Sequence, residues 1–301
     1  MPARDLLLIL IICLAWAGNF LTSALALREL SPLLFTALRL LVLGVLLIPF
    51  LKLPPRDQLG RLLLIALCNG VLHFGLSFWA LKLAGDIASP AIVMQSYVPM
   101  AALLAWVILG ERFAWRTGVA ILVSFTGILV LGFDPIVLDR PESLSLMLVS
   151  AFFLAIGTVL MRDLKGINAL SLQGWTAWIG VLPLLTASVL IEPDARAQIT
   201  SVSWRAWLGV LYAAVIASML GHSLFYKLVQ RHPVAQLTPY LLLSPLLAVA
   251  LGIVVWGDRP GPRLWIGGAM VLGGVLAIAL RAWAKQRALV RNARNIDPAL
   301  L

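Results

Sequence analysis

Gly110-Glu111-Arg112, with Arg116 four residues on and Gly127-Ile128-Leu129 beyond, returns 147 residues later as Gly257-Asp258-Arg259, Arg263 and Gly274-Val275-Leu276. Each copy follows an apolar segment interrupted by prolines and precedes a glycine-rich one. The chain therefore reads as two copies of one unit. If each copy holds an odd number of membrane spans, the two face opposite ways across the bilayer. Inverted repeats of that kind place a solute site near the midplane, between the halves.

Composition fits this reading. Of the 301 residues, 61% are hydrophobic and 12% charged, and the mean hydropathy is +1.00. A water-soluble domain of this length could not cover its surface with so few charges. Ten apolar blocks recur, at 6–27, 32–51, 60–83, 88–109, 113–132, 144–161, 170–191, 205–227, 233–256 and 263–283. Each is long enough to cross a hydrocarbon core of about 30 Å. The expectation is an all-α integral membrane protein of ten transmembrane helices, arranged as two inverted five-helix repeats. Residues 1–135 would hold spans one to five and residues 136–285 spans six to ten. A basic tail, 286–301, would follow.

The positive charge orients the chain. Of the 23 Lys and Arg residues, 15 fall on one side, among them Arg56, Arg61, Arg116, Arg162, Lys165, Arg281, Lys285, Arg287 and Arg291. Seven fall on the other, Arg28, Lys82, Arg140, Arg196, Arg205, Arg259 and Arg263, with Arg39 inside a span. Segment 133–143, which joins the halves on the other side, carries Asp134, Asp139 and Glu142 against Arg140 alone. Lys and Arg are retained on the cytoplasmic face, so both termini are expected inside. The excess of Arg over Lys suits a GC-rich bacterial genome and hence an inner (plasma) membrane, multi-pass location. The net charge of +10 is spread over several loops rather than one stripe, which argues against nucleic acid. Its tail portion could touch anionic headgroups. Arg4, an apolar run and Ala24-Leu25-Ala26 imitate a signal peptide. Cleavage there would leave nine spans and spoil the pairing, so none is expected. Cys13 and Cys68 lie within spans without metal-ligand spacing and read as small apolar fillers. No cofactor or metal site is indicated.

Trp16-Ala17-Gly18-Asn19-Phe20 in span one, Arg39 in span two, and the paired ends of spans four and nine at Gly110-Glu111-Arg112 and Gly257-Asp258-Arg259 together resemble the drug/metabolite transporter superfamily, in its ten-span EamA-type branch of bacterial permeases. The likeness covers roughly residues 5–283. It implies a central cavity built from the first four spans of each half, with spans five and ten peripheral. It also implies export of small polar metabolites such as amino acids or their derivatives; sugar, nucleotide and multidrug permeases of the superfamily stay open as alternatives. The sequence departs from the family pattern where Asp258 stands for the usual Glu, where Pro260 and Pro262 follow it, and where Phe153 replaces a tryptophan that would echo Trp16.

Polar side chains inside spans are costly in hydrocarbon and should face a cavity or a partner helix. They concentrate in spans one, three, four, eight and nine. The candidate cavity residues are Asn19, Arg39, His73, Trp79, Gln95, Tyr97, His222, Tyr226 and Ser244. Pro90 and Pro99 in span four, and Pro239 and Pro245 in span nine, are the expected hinges, since an interior proline frees a carbonyl and kinks its helix. Corresponding broken segments in two inverted halves point to a transport site. Arg39 stands seven residues after Pro32, roughly 10 Å along its helix. It either ties down helix ends or offers a carboxylate-bearing solute a forked partner. His73 and His222 sit in the related spans three and eight, as structural groups or as the titrating groups of a proton-coupled cycle. No Asp or Glu occupies the middle of a span, which favours facilitated efflux over a carboxylate relay. The glycines of span ten, Gly267, Gly268, Gly273 and Gly274, permit close helix approach within the chain or between two copies of a homodimer. An enzyme would need a constellation such as HExxH, paired intramembrane aspartates or GxSxG, and none is present. Partners are therefore a small-molecule substrate and the lipid bilayer.

Overall fold

The computed structural model describes the backbone of residues 2–110, 113–229, 231–232 and 234–296, and the side chains of these except 226, 229, 234, 235, 289, 290 and 292–296. Glu111, Arg112 and the side chain of Tyr226 lie outside the described residues. Among those described there is no strand. Ten helices are long and apolar enough to cross a membrane: Ala3–Ala26, Pro32–Phe50, Arg56–Ala84, Ala88–Leu109, Trp115–Gly132, Pro141–Met161, Ala169–Ile191, Trp204–Phe225, Gln236–Trp256 and Pro262–Ala288. These are spans one to ten. The helices form because, in hydrocarbon, only an unbroken intrahelical ladder satisfies the backbone. Leucines such as Leu7, Leu122, Leu182 and Leu190 stay exposed on the outside, which is where lipid replaces water.

Spans five and ten lie against each other and run antiparallel. A Cβ added to Gly267 would stand 2.5 Å from Gly127 O, one on Gly127 would stand 2.7 Å from Gly267 O, and one on Gly274 would stand 2.6 Å from Ala120 O. Glycine is required at these positions because backbone meets backbone. Between them Ser124 Oγ donates to Val271 O at 3.4 Å. At the two ends of the pair Asp134 accepts from Leu264 N (2.9 Å) and Arg281 donates to Thr117 Oγ1 (3.1 Å). In the 147-residue register Ser124 matches Val271, Gly127 matches Gly274, and Thr117 and Asp134 match Leu264 and Arg281. The interface is thus self-complementary about the Ser124–Val271 pair. Gly268 packs against Ile92 of span four, whereas a Cβ at Gly273 meets nothing. Most of the span-ten glycines therefore serve contacts within the chain.

Spans one, three, five, seven and nine end on the same face, where spans two, four, six, eight and ten begin. There the starts of spans two, four, eight and ten are capped by carboxylates that follow other spans. Glu29 accepts from Ser203 N and Oγ, both at 2.7 Å, before span eight. Glu192 accepts from Leu33 N (2.8 Å) and Leu34 N (3.1 Å) of span two. Asp258 Oδ2 accepts from Ile87 N (2.9 Å) and Ala88 N (3.0 Å) at the start of span four, and Asp134 serves span ten. Each bond satisfies orphan N–H groups and sets a negative charge at the positive end of a helix dipole. All four join the first 135 residues to the remainder. On the opposite face the joints differ. Ser171 and Trp175 hold the backbone of Lys52, Arg61 donates to Asp163 O at 2.6 Å, and Asp5 pairs with Arg231 and His232.

Candidate functional site

Arg39 lies in the middle of span two, and its side chain is among the largest that the fold buries completely, at 2% exposure. Nη2 donates to Ser218 Oγ of span eight at 2.7 Å. The guanidinium stacks 3.9 Å from the ring centre of Phe74 and 5.2 Å from that of Phe78, both on span three. Nε and Nη1 have no hydrogen-bond partner, and no described carboxylate pairs with this cation.

Spans three and eight reach Arg39 through widened turns. Ala66–His73 and Tyr212–His222 are π-helical, and each ends on a histidine. In the second, Ser218 Oγ donates five residues back to Ala213 O at 2.8 Å, while His222 Nδ1 lies 3.1 Å from Ser218 O. Such segments leave carbonyls and side chains off the regular ladder and recur at functional sites. His73 Nδ1 lies 2.9 Å from Ser150 Oγ of span six, and that hydroxyl lies 2.9 Å from His73 O. Both imidazoles are within electrostatic range of Arg39. Trp16 of span one closes the row: its Nε1 donates to Ala217 O at 3.2 Å, and its ring lies 5.5 Å from His222 and 5.9 Å from Phe225. One polar and aromatic chain thus runs from span one through eight, two and three to six. It brings a cation, two imidazoles and aromatic faces together between the two halves.

Spans four and nine flank this chain with irregular backbone. Span four is interrupted by a 3-10 turn at Met94–Ser96, after which Pro99 is the third residue of helix Tyr97–Leu109. Span nine breaks at Leu242, and Pro245 is the third residue of helix Leu243–Leu251. Pro239 lies within the preceding helix. Pro90 is different. It falls in the first turn of Ala88–Val93, where an absent N–H leaves no bond unmade, so it starts span four instead of interrupting it.

The candidates divide accordingly. Arg39, His73 and His222 come together. Gln95 and Tyr97 sit half-buried at the span-four break, and Ser244 is buried just after the span-nine break. Asn19 is half-buried and accepts from Ser23 Oγ at 3.4 Å. Trp79 packs on the apolar core between spans two and seven. The sequence candidates omitted Ser150, Ser218, Phe74 and Phe78. Ser218 carried a signal, being a hydroxyl four residues before His222; Ser150, one of three serines in span six, carried none. Asn69 and Gln173 are half-buried, with buried amide atoms unpaired, and Asn69 abuts Gly157.

Over the capped face, burial pushes the Asp86 carboxyl up to about 6, with the nearby Asp258 and Asp134 charges adding to the rise and the Ser89 hydrogen bonds opposing it. Burial also raises Asp258, against the lowering effect of the Ile87 and Ala88 N–H groups. Asp86 accepts from Ser89 N (2.6 Å) and Ser89 Oγ (2.7 Å).

The sequence matches the family model described as the EamA-like transporter family over residues 4–133 and 142–280. Among curated proteins it is 23% identical to a probable amino-acid metabolite efflux pump of Escherichia coli K12, over 91% of this chain and 94% of that one. It is 25% identical to a protein of the same description in Salmonella typhimurium, with the same coverage of both chains. A probable terminal-alkyne amino-acid exporter of Streptantibioticus cattleyicolor is 27% identical over 77% of this chain and 78% of that one. A solved crystal structure, 20% identical, superposes with a TM-score of 0.59 over 94% of this chain and 99% of that chain, a likeness of fold.

Proposed function

The chain belongs to the EamA-like transporter family and is a multi-pass membrane transporter, not an enzyme; from that premise we propose that it exports small polar metabolites, amino acids or their derivatives, across the inner membrane by alternating access. The observation that carries this reading is the buried row from Trp16 through His222, Ser218, Arg39 and Phe74 to His73 and Ser150, drawn from five spans of both halves. Polar groups so deep in hydrocarbon are kept for a solute or a proton. The names of the relatives in E. coli, S. typhimurium and S. cattleyicolor support the amino-acid class.

In this reading the halves, 1–135 and 136–285, are inverted repeats, which the self-complementary register of spans five and ten supports. Asn19, Arg39, His73, Trp79, Gln95, Tyr97, His222, Tyr226 and Ser244 line the route. Rocking of spans three and four against eight and nine opens it to each side in turn, with the breaks at Met94–Ser96 and Leu242 as pivots. Both termini are cytoplasmic. Where a proton is exchanged, His73 and His222 carry it.

Counterflow in proteoliposomes tests the reading. Vesicles are loaded in turn with pooled amino acids, sugars and nucleosides, with and without a pH gradient. Accumulation of a labelled amino acid without a gradient is the expected result. Accumulation only with a gradient makes proton exchange obligatory. Silence in the amino-acid pool alone rejects the substrate class, and silence in all pools rejects metabolite transport.

A further inference from the structure

A guanidinium that serves only to tie helices together finds acceptors for its donors. Two arginines of this chain show the pattern: Arg61 Nη1 donates to Asp163 O at 2.6 Å and Arg263 Nη1 donates to Phe133 O at 2.7 Å. Both sit near span ends, where free carbonyls are plentiful. Arg39 departs from it. It is more deeply buried than either, yet one donor nitrogen reaches Ser218 and the other two reach nothing. Stacking on Phe74 shields one face of the ion but supplies no acceptor for an in-plane N–H. A buried cation left in that condition is strongly unfavourable unless some state of the protein pairs it.

Building on the export reading, we propose that Arg39 is the carboxylate receptor of this transporter, so that the solutes carried are organic carboxylates seated on the Nε and Nη1 donors beside Ser218. A guanidinium presents planar, paired N–H groups that match the two oxygens of a carboxylate, and such bonds are about twice as strong as neutral ones. Trp16, one turn of span eight away at Ala217 and His222, offers a stacking surface for an apolar body.

The same site selects against positive charge. No described Asp or Glu lies mid-span, and the described carboxylates lie at span ends or in loops. An ammonium group entering beside Arg39 would meet a like charge and no counterion. Free amino acids therefore gain their binding from the carboxylate, and masking the amine costs nothing. N-acylated amino acids are carried at least as well as free ones, while amides and esters, which keep the amine and lose the acid, are rejected.

The test is counterflow of the full chain in proteoliposomes with three labelled pools: amino acids, N-acetyl amino acids and amino-acid amides. The expected result is exchange of both acid pools, with the amide pool slower by tenfold or more. Arg39→Gln lowers acid exchange at least tenfold, and Arg39→Lys, which keeps the charge but loses the fork, falls between. Amides exchanging as fast as acids in the unaltered protein overturn the proposal, and that arm needs no variant to fold. So does a monodisperse Arg39→Gln protein that exchanges acids at the original rate. With sugar and nucleoside pools run alongside, exchange of those alone leaves a transporter standing and removes this site; silence in every pool removes the export reading together with it.

Discussion

Asp86 gives the stability of this transporter a dependence on pH with a definite sign. Its carboxyl is 3% exposed and held up at about 6 by burial, against about 3.9 for an unfolded chain. The folded state therefore binds the proton more tightly than the unfolded state. The stabilising contribution is complete below about pH 3.9 and is lost as pH rises through about 6. A shift of about two units corresponds to about 3 kcal/mol between those limits. Asp86→Asn keeps an acceptor for Ser89 N and Oγ and removes the titration. The neutral cap is weaker by about 1 kcal/mol, so the variant should exceed the original protein by about 1–2 kcal/mol at pH 8. At pH 4 it should equal it or fall slightly below. Asp258 and Asp134 face the same carboxyl and Arg140 lines the same small cavity; all three are present in both proteins and drop out of the difference to first order. Equilibrium unfolding in mixed micelles, followed by tryptophan fluorescence at steps from pH 4 to 8, gives the two curves. Parallel curves across that range would refute the argument.

Other outcomes follow from particular contacts. Gly267→Val drives a side chain into Gly127 O and Leu131 N, at 2.5 and 2.6 Å from the new Cβ; overpacking against backbone should cost roughly 2–3 kcal/mol or more. Gly60→Ala, in helix Leu59–Ile65 where a Cβ meets nothing within 4 Å, should instead stabilise by up to about 1 kcal/mol, and the same micelle unfolding assay compares the two. Ser218→Ala removes the one hydrogen-bond partner of Arg39, with an expected loss of about 1.5–3 kcal/mol for a buried bond to a charged group. Single cysteines at Arg140 and Arg162, in a background lacking Cys13 and Cys68, should react with an impermeant maleimide on intact cells at 140 and only after lysis at 162. The reverse pattern would invert the topology.

The ten spans were legible because hydrocarbon imposes a one-dimensional rule, a length of apolar residues, and the helices start and end within a few residues of the apolar blocks. Glycines facing glycines were half legible. Gly127 and Gly274 announced a repeat, but only packing shows that Gly267, offset from Gly274 by two turns, is what Gly127 meets. At the site, Arg39, His73 and His222 stood out because a charge or imidazole in an apolar run has to be explained. Ser150 did not, since a serine in a span can bond its own helix, as Thr158 does to Leu154 O. A proline's effect also depends on its place in the helix, and Pro90, third in Ala88–Val93, stands in a first turn where its missing N–H breaks no bond.

The carboxylate caps add to the cost of opening the face on which they lie. On one face Glu29, Glu192, Asp258 and Asp134 bind helix N-termini across the two halves. The matching joint between spans two and seven on the opposite face uses Ser171 and a backbone carbonyl. Net hydrogen bonds to a charged group contribute about 1.5–3 kcal/mol and neutral ones about 0.5–1.5. Each acidic cap that must part on opening therefore weighs about 1 kcal/mol more than its neutral counterpart, close to a tenfold bias for a single cap. The opposite face has a charged joint of its own in Asp5 with Arg231 and His232, so the caps weigh on the equilibrium one by one and do not by themselves fix the resting side. With the termini cytoplasmic, as proposed, the capped face is the external one. Asp258 is the cap at the start of span four, just ahead of the break at Met94–Ser96. Replacing it by Ala orphans Ile87 N and Ala88 N and should raise the outward-open population about tenfold or more. Ile87 is fully buried behind this cap, so a cysteine placed there reports opening. Alkylation of Ile87→Cys from the external side should be about tenfold faster with Asp258→Ala than without it. Equal rates would mean that the caps hold helices in place without governing which face opens.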